Sequence, residues 1–370
     1  MFVKTLKLTN FRNYNTFSST FSTSTNIFIG KNAQGKTSIL ESLYVLGLTK
    51  SHKINKERDL IRIGAEYAKI NAVINLNNKD IELDIVVSKV GKKAKYNQIE
   101  LERLSDYIGI LNVVMFAPED LDLIKGNPQI RRKFLDLELG QISKEYLYNL
   151  QNYRKVLKQR NDLLKAIQQK KDKDLMLLDI ITDQLVGFME MIVKQRHEFL
   201  HIIKEHANRI YKKLATTDDN FEIKYLPSIK KDFKKELSVK YQYDIITGTT
   251  NFGVHRDDIE FYINKTPIKT HGSQGEMRTA VLSIKLALID FIYQFTNNYP
   301  ILLLDDVLSE LDNDRQNNLL DYIKDKTQTF ITATEINEIN INKINNYKVF
   351  KIENGAIKES DKHEWQLWFE

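Results

Sequence analysis

The spacing of apolar and polar positions divides the chain into three parts. In the first part, residues 2–8 alternate as a strand, and residues 26–29 form a short apolar strand that ends at a glycine. An amphipathic helix is predicted at about residues 37–46. Alternating runs at 67–74 and 81–87 predict a β-hairpin. The first part therefore consists mainly of strands, with one helix directly after a glycine-rich turn.

The middle part is helical from residue 128 onward. Two periodic runs without proline flank a charged break at residues 170–174, a pattern typical of an antiparallel helical hairpin. Each arm is expected to be roughly 35 residues, or about 50 Å long. The apolar positions that carry the period are Leu147, Leu150, Tyr153, Leu157, Leu164, Ile167, Leu178, Leu185, Ile192, Phe199 and Ile203.

Strand patterns return in the last part, at residues 221–226, 259–263, 300–304 and 329–332. The predicted organisation is an α/β chain in which a helical lobe, residues 121–215, separates two strand-rich parts, residues 1–120 and 216–370.

The segment Gly30-Lys31-Asn32-Ala33-Gln34-Gly35-Lys36-Thr37 matches the P-loop pattern in full. Its position between a predicted strand and a predicted helix is the context in which backbone N–H groups and a helix N-terminus bind phosphates. We expect Lys36 to pair with the β/γ-phosphates and the Thr37 hydroxyl to hold Mg²⁺. The segment predicts ATP binding, with Ser38 also near the nucleotide.

A second motif lies far downstream, where four apolar residues end in Asp305 and Asp306. Together with a P-loop, this pattern predicts a Walker B strand with Asp305 on Mg²⁺. Asp306 occupies the position of the base that polarises the attacking water. Because Asp is one methylene shorter than Glu, hydrolysis is expected to be slow.

The third motif, Ser273-Gln274-Gly275-Glu276, precedes a helical run by a few residues. A serine followed by an acid three residues later is also an ordinary capping box. However, the Walker B strand follows about 30 residues later and is itself followed by Ser309-Glu310-Leu311-Asp312, an order and spacing typical of ABC-type ATPases. In that class the signature serine contacts the γ-phosphate bound to the opposite subunit. The motif therefore predicts an ATP-dependent homodimer in which Ser273 completes the partner's site.

Composition narrows the chemistry and the compartment. The chain has no cysteine, which excludes disulfides and thiolate metal sites and suits a reducing cytosol. Its N-terminus has no signal-peptide pattern, and the sequence shows no apolar run of the roughly 18 residues that a membrane span needs. The net charge of +6 fits a polyanionic partner such as DNA, but general lysine richness would produce the same value. A cytoplasmic protein without a membrane partner is expected.

In its motifs and their order, the chain resembles the RecF family of bacterial recombination mediators, within the ABC and structural-maintenance group of ATPases. The matching segments run in the family's order over most of the chain: Leu8 to Tyr14, the P-loop through Glu41, Lys50 to Lys53, Phe116 to Leu121, Arg131 to Asp136, His255 to Asp258, and Ser273 to Thr279. The resemblance implies an ABC-type P-loop ATPase head with an inserted short antiparallel helical lobe.

The resemblance also implies an activity and partners. It implies a weak, DNA-stimulated ATPase that dimerises on ATP at gapped or duplex DNA and works with RecR, and indirectly with RecO, to help load RecA. It further implies that Arg12 contacts the nucleotide. His255, Arg256 and Asp257 are candidates either for a site or for a salt-bridged loop.

Three departures from the family's pattern concern the site. Val254 stands where proline is usual, and Ala33 stands where glycine is frequent. No Q-loop glutamine or switch histidine is identified, and Thr334 follows the strand at residues 330–332. The γ-phosphate sensor is therefore not predicted.

Basic residues suggest where DNA would bind. The first group is a run shortly after the P-loop helix: Lys50, His52, Lys53, Lys56 and Arg58. A second group comprises Lys92, Lys93 and Lys95. Phosphate contact requires only positive charge within reach, so we expect these residues to contribute affinity without sequence preference.

Three other functions share these motifs. A transporter's nucleotide-binding subunit would carry its signature much sooner after the P-loop. An overcoming-lysogeny-type nuclease would need a metal-binding domain after Walker B, and only 58 residues follow Asp312. A DNA clamp with negligible ATP turnover stays open, because intact binding motifs do not establish turnover.

Overall fold

The computed structural model describes residues 1–54, 56–171, 174–230, 232–353 and 355–360. Within this part of the chain, the strands in order are β1 (Phe2–Phe11), β2 (Tyr14–Thr20), β3 (Thr25–Ile29), β4 (Tyr67–Leu76), β5 (Lys79–Ser88), β6 (Gly91–Tyr96), β7 (Ile99–Glu100), β8 (Val113–Phe116), β9 (Phe221–Leu226), β10 (Asp258–Ile263), β11 (Thr266–Pro267), β12 (Ile301–Asp305), β13 (Thr329–Ala333), β14 (Tyr347–Glu353) and β15 (Ala356–Ser360).

The α-helices of the described residues follow the same order. They are α1 (Lys36–Leu48), α2 (Leu104–Tyr107), α3 (Asp122–Lys125), α4 (Pro128–Gly140), α5 (Lys144–Gln168), α6 (Leu175–Ala215), α7 (Phe233–Thr247), α8 (Ile268–His271), α9 (Gln274–Thr296) and α10 (Asn313–Ile323).

The chain forms two compact units, the first made of residues 1–120, 210–217 and 282–370. Its central sheet has the order β15-β14-β3-β13-β12-β8, parallel except for the antiparallel edge strand β15. Strands β3, β8, β12 and β13 are buried along their whole length, as expected for a parallel sheet covered on both faces. The carboxyl ends of β3, β13 and β12 therefore lie side by side.

Helix α1 packs closely on this sheet. A Cβ on Gly47 would lie 2.6 Å from Cγ2 of Val113, so a side chain there would push α1 away from β8. Phe28 of β3 stacks on Phe350 of β14 with ring centroids 4.9 Å apart. The close helix contact and the aromatic stack set the position of the loop that joins β3 to α1.

A second sheet of the first unit is antiparallel, in the order β2-β1-β4-β5-β6-β7. The predicted hairpin is formed by β4 and β5, joined by Asn77 and Asn78 at φ 52° and 61°. Asparagine adopts this left-handed conformation more readily than most residues, which suits a two-residue hairpin turn.

The second unit comprises residues 121–209 and 218–281 and contains the predicted helical hairpin. Arg160 of α5 donates to Thr182 of α6 at 2.9 Å, and Arg196 of α6 donates to Tyr146 of α5 at 3.0 Å. Later positions of α6 thus meet earlier positions of α5, so the helices run antiparallel. They have 25 and 41 residues, in place of two arms of similar length.

The predicted division of the chain differs from the observed one after the hairpin. The boundary at residue 120 agrees, but residues 218–281 group with the helical unit and not with the C-terminal part of the head. The reason is pairing: β10 forms its sheet with β9 and β11, and Arg131 of α4 holds Asp258 of β10 at 2.6 Å.

Helix α9 is, among the described residues, the one helix whose length and apolar composition would allow a membrane span. Of its most apolar 18-residue window, 72% is buried inside the protein. Core helices of globular proteins commonly have this composition, so the helix is weak evidence for a membrane.

Candidate functional site

The loop between β3 and α1 has a backbone conformation that side chains at its two glycine positions would prevent. Gly30 has φ 151°, and a Cβ there would meet the Ile352 carbonyl oxygen at 2.4 Å. Gly35 has φ 111°, and a Cβ there would lie 2.6 Å from Nδ2 of Asn13. Ala33 adopts φ 64°, the left-handed conformation that glycine would adopt with less strain. The loop therefore has a phosphate-binding shape although one usual glycine is absent.

Lys36, the first residue of α1, is buried with its ammonium group turned back into the loop. It donates to the carbonyl oxygen of Gly30 and, at 3.2 Å, to that of Lys31. Burial lowers the pKa of Lys36, against the raising effect of the negative charges of Asp306 and Asp305. The cation is thus held in the concave side of the loop, where phosphate oxygens would be better partners than carbonyls.

Asp305 at the end of β12 meets the P-loop directly. Its Oδ1 accepts hydrogen bonds from the hydroxyls of Thr37 at 2.8 Å and Thr332 at 2.9 Å. A hydroxyl and a carboxylate oxygen at this separation fit Mg²⁺, which is usually held by one or two protein oxygens together with phosphates and waters. Among the described residues, no group of three or more His, Cys, Asp or Glu side chains is arranged to hold a metal ion.

Asp306, the next residue, leaves the strand with φ 53°. Its backbone N–H donates to the Thr332 hydroxyl at 2.9 Å, and the same hydroxyl lies 3.3 Å from its carboxylate. Burial, followed by the negative charge of Asp305, raises the pKa of Asp306. A raised pKa is the direction that general-base chemistry near neutral pH requires.

A cavity of about 470 Å³ opens beside the P-loop. Besides the loop itself, its lining includes Lys36, Thr37 and Asp306, and also Arg12, Asn13, Asp59, Ile61 and Ile63. This lining combines two aliphatic side chains with polar groups, a surface suited to a nucleobase.

Arg12 lines the cavity, but its charge is already paired. It donates to both carboxylate oxygens of Glu41, at 2.7 and 2.6 Å, and to the Asp59 carbonyl at 2.9 Å. Glu41 is buried and also accepts from Ser51 at 2.5 Å. A role for Arg12 in nucleotide contact stays a prediction. Its ion pair with Glu41 also connects the end of β1 to α1.

The signature segment lies at the start of α9, in the second unit. The Ser273 backbone N–H donates to Glu276 at 2.7 Å, and the Glu276 N–H donates to the Ser273 hydroxyl at 3.2 Å. The capping box is therefore formed. Because Ser273 and Gln274 are exposed, the cap leaves the helix start accessible to another molecule.

The His255–Asp258 segment lies in a buried network of the second unit. Asp257 accepts from Arg196 at 2.9 Å and from the Ser228 N–H at 2.8 Å. His255 contacts the Tyr153 hydroxyl at 2.5 Å and the Thr250 carbonyl at 3.0 Å. Of the two interpretations of this segment, the geometry favours the salt-bridged loop for His255 and Asp257, while Arg256 is exposed.

The proposed DNA-contact residues require corrections. His52 is largely buried, neither ring nitrogen has a hydrogen-bond partner, and burial and then the adjacent Lys53 lower its pKa to about 3. It is therefore neutral and unsuited to phosphate contact. Lys53 lies 3.3 Å from Asp305, inside the P-loop site. Lys50, Lys56 and Arg58 are exposed and stay candidates.

The three lysines of the second basic group, Lys92, Lys93 and Lys95, also differ in exposure. Lys92 is buried, pairs with Glu57 and donates to the Thr49 carbonyl at 2.5 Å, so it is a structural residue and not a surface cation. Lys93 is exposed and pairs with Glu100 at 2.8 Å. Lys95 is half-buried on the same strand.

Two site residues escaped prediction. Thr332 contacts both acidic residues because β13 lies between β3 and β12, and the signal that would find it is a hydroxyl at the carboxyl end of the neighbouring strand. Glu338 accepts from the backbone N–H of Thr334 at 3.1 Å, and its charge raises the pKa of both Lys36 and Asp306. No local pattern distinguishes Glu338 from other surface acids.

Known proteins resemble this chain over nearly its full length. The family model described as RecF/RecN/SMC N terminal domain matches residues 2–358. The DNA replication and repair protein RecF of Shouchella clausii is 44% identical, with 97% of this chain and 99% of that protein covered.

Solved structures agree with these sequence matches. A recombination mediator protein RecF with ATP, from the RecFOR pathway, is 30% identical with a TM-score of 0.90, covering 97% of this chain and 98% of that one. An Smc head domain from Pyrococcus furiosus, 17% identical with a TM-score of 0.55 and covering 97% of this chain and 96% of that one, shares the fold. The predicted ABC-type head is thereby confirmed.

Proposed function

This chain belongs to the RecF family of DNA replication and repair proteins, and we propose that it is a recombination mediator driven by ATP binding and slow hydrolysis. The observation that carries the proposal is the meeting of Thr37 with Asp305 at 2.8 Å, beside the loop that holds Lys36. Phosphate-binding and metal-binding groups from distant parts of the sequence converge there. The RecF relative solved with ATP supports the same ligand.

In this proposal each part of the site has a separate role. Lys36 and the loop N–H groups bind the β/γ-phosphates, and Mg²⁺, where bound by Thr37 and Asp305, would supply charge neutralisation to the phosphates. Asp306 orients a water and accepts its proton. Thr332 orients the two carboxylates, because its hydroxyl contacts both. The aliphatic part of the cavity wall, Ile61 and Ile63, packs against the base.

The site is completed by a second copy of the chain. The support is the exposed start of α9, where the Ser273 hydroxyl and the capped helix N-terminus present a hydroxyl and a partial positive charge to an anion. The partner's γ-phosphate is the proposed anion. ATP therefore holds two heads together, and hydrolysis releases them.

DNA is the proposed polyanionic partner, at gapped or duplex sites, with the exposed Lys50, Lys56 and Arg58 as phosphate contacts. Family membership supports RecR as the direct protein partner, and RecO and RecA as indirect ones, in the cytoplasm. Stimulation of the ATPase by DNA belongs to the same proposal.

A clamp with negligible turnover is the second candidate function. The favouring observation is that the catalytic position carries Asp306, whose side chain is already engaged with Thr332. Such a protein would dimerise on ATP and stay closed. It differs from the first candidate in turnover alone.

Ser273→Arg tests the shared site. We expect the variant to bind ATP as a monomer with near wild-type affinity, but not to dimerise or hydrolyse it, because the longer side chain clashes across the interface. Size-exclusion chromatography with light scattering, with and without ATP and gapped DNA, measures dimerisation. Ser238→Arg, which places the same substitution on the exposed face of α7 away from the site, is the matched control.

Mixing Ser273→Arg with Lys36→Met sharpens the test. One composite site of the mixed dimer then has two intact halves, and part of the hydrolysis should return. Normal dimerisation and turnover by Ser273→Arg alone would show that the serine is only a helix cap. Wild-type dimerisation without measurable turnover would select the clamp.

A further inference from the structure

Lys53 is the residue of the P-loop site that the proposed mechanism does not use. Its Nζ lies 3.3 Å from Oδ2 of Asp305 and 3.8 Å from Oε1 of Glu119. Asp305 is almost completely buried, whereas 31% of the Lys53 side chain is exposed. Oδ1 of the same carboxylate faces Thr37 and Thr332. Lys53 therefore covers the side of the carboxylate that the hydroxyls leave open.

The charges around Asp305 explain why a cation belongs there. Asp306 follows directly, and Lys36 directs its ammonium group to the carbonyls of Gly30 and Lys31. Among the described residues, Lys53 is the cation within ion-pairing distance of Asp305. A buried carboxylate without a cation would be strongly disfavoured.

The backbone holds Lys53 in place independently of this ion pair. The Ser51 hydroxyl accepts from the N–H groups of Lys53 at 3.0 Å and Ile54 at 3.2 Å, and it donates to the buried Glu41 at 2.5 Å. The turn is thus anchored to α1 through Ser51. Loss of the Lys53–Asp305 contact would release a flexible, half-exposed side chain without unfolding the turn.

We propose that Lys53 is the resident counter-ion of Asp305 in the metal-free protein and that it competes with Mg²⁺ for this carboxylate. The inference rests on the proposed function, in which Asp305 and Thr37 hold the metal of MgATP. The metal ligand Thr37 faces Oδ1 and Lys53 faces Oδ2, but a divalent cation and an ammonium group a few ångströms apart repel each other, so each weakens the other's binding to the carboxylate. Binding of the metal with its nucleotide expels Lys53 from the site.

The competition gives the basic segment a dependence on nucleotide. Without metal, the positive charge of Lys53 is paired with Asp305. With metal bound, the same charge is free beside Lys50, Lys56 and Arg58. Lys53 thereby sets the magnesium requirement of nucleotide binding and adds one cation to the exposed surface when the site is filled.

The first test is a Mg²⁺ titration of a fluorescent, slowly hydrolysed ATP analogue, with chelator as the metal-free baseline. Lys53→Met should lower the half-saturating Mg²⁺ concentration by about two- to fivefold, the range expected for loss of a partly exposed ion pair. Lys53→Arg keeps the cation and should behave as wild type. Lys79→Met, which removes an exposed lysine of the same unit outside the site, is the matched control.

The second test needs no substitution. Brief acylation of the wild-type protein, followed by peptide mass spectrometry, should label Lys53 more in the presence of Mg²⁺ and the analogue than without them, relative to Lys56. If the wild-type protein binds the analogue but Lys53→Met has the same or a higher half-saturating Mg²⁺ concentration, the inference is overturned and the proposed function is not. Wild-type protein that binds no analogue at any Mg²⁺ concentration overturns the proposed function and the inference with it.

Discussion

Two clusters of charged residues, one in each unit, contain the same types of side chain and differ in function. In the second unit, Arg196 donates to Tyr146, Val254, Asp257 and Asp136, all between 2.9 and 3.0 Å. In the first unit, the cation Lys36 contacts only backbone carbonyls, beside an open cavity. Both clusters are rich in carboxylates and cations, so residue types do not distinguish them.

The two clusters differ in how completely their charged groups are hydrogen-bonded and in whether a ligand can reach them. The Arg196 guanidinium is buried and makes four hydrogen bonds to side-chain and backbone acceptors, so it is closed to a ligand. Around the P-loop, by contrast, Lys36 is bonded to loop carbonyls and Asp306 to Thr332, and an open cavity reaches both Lys36 and Asp306. A fully paired cluster acts as scaffold, whereas an incompletely paired cluster with an opening can bind a ligand.

The largest expected effect is on the scaffold cluster. Arg196→Met removes the cation and leaves Asp257 and Asp136 without it, which should lower the free energy of unfolding by about 3–5 kcal/mol. Urea unfolding followed by circular dichroism measures this. Arg209→Met, on the exposed face of the same helix, should change little. An equal effect of both variants would remove the contrast between the two clusters.

The next effect is on ligand binding. Lys36→Met should weaken ATP binding by about 2–5 kcal/mol, or about thirtyfold and more, because a buried charge partner of the phosphates is lost. Its unfolding should be affected much less than that of Arg196→Met. Equilibrium titration with a fluorescent ATP analogue measures the affinity, with Lys79→Met, an exposed lysine outside the site, as control. Wild-type affinity in Lys36→Met would refute the phosphate assignment.

The smallest effect concerns pH and the scaffold cluster. Burial is the main cause that lowers the pKa of His255 below its usual 6.5, and the positive charge of Arg256 also lowers it. The unfolded chain therefore binds the proton more readily, so stability is complete above pH 6.5 and falls as the pH drops toward the folded-state pKa. His255→Gln should flatten this decline, by less than about 1 kcal/mol between pH 7 and 5. An unchanged pH profile in urea unfolding would contradict it.

The local features of the chain were predictable because their signals are local. The P-loop is eight consecutive residues, and the helical hairpin and the Walker B strand each follow a short hydrophobic period. The position of Asp305 near Thr37 also followed, since the carboxyl ends of parallel strands share one edge of a sheet. The RecF family assignment rested on several such segments in order and is confirmed.

What the sequence alone determined is therefore the strands and helices that carry the motifs, the presence of the helical hairpin and the chemistry of the P-loop. Only the tertiary structure decided which basic residues stay outside: it buries His52, turns Lys53 onto Asp305 and pairs Lys92 with Glu57. It also decided that residues 218–281 group with the helices. The physical reason is that a hydrophobic period records burial along one element, whereas an ion pair across 252 positions, as between Lys53 and Asp305, depends on how distant elements pack.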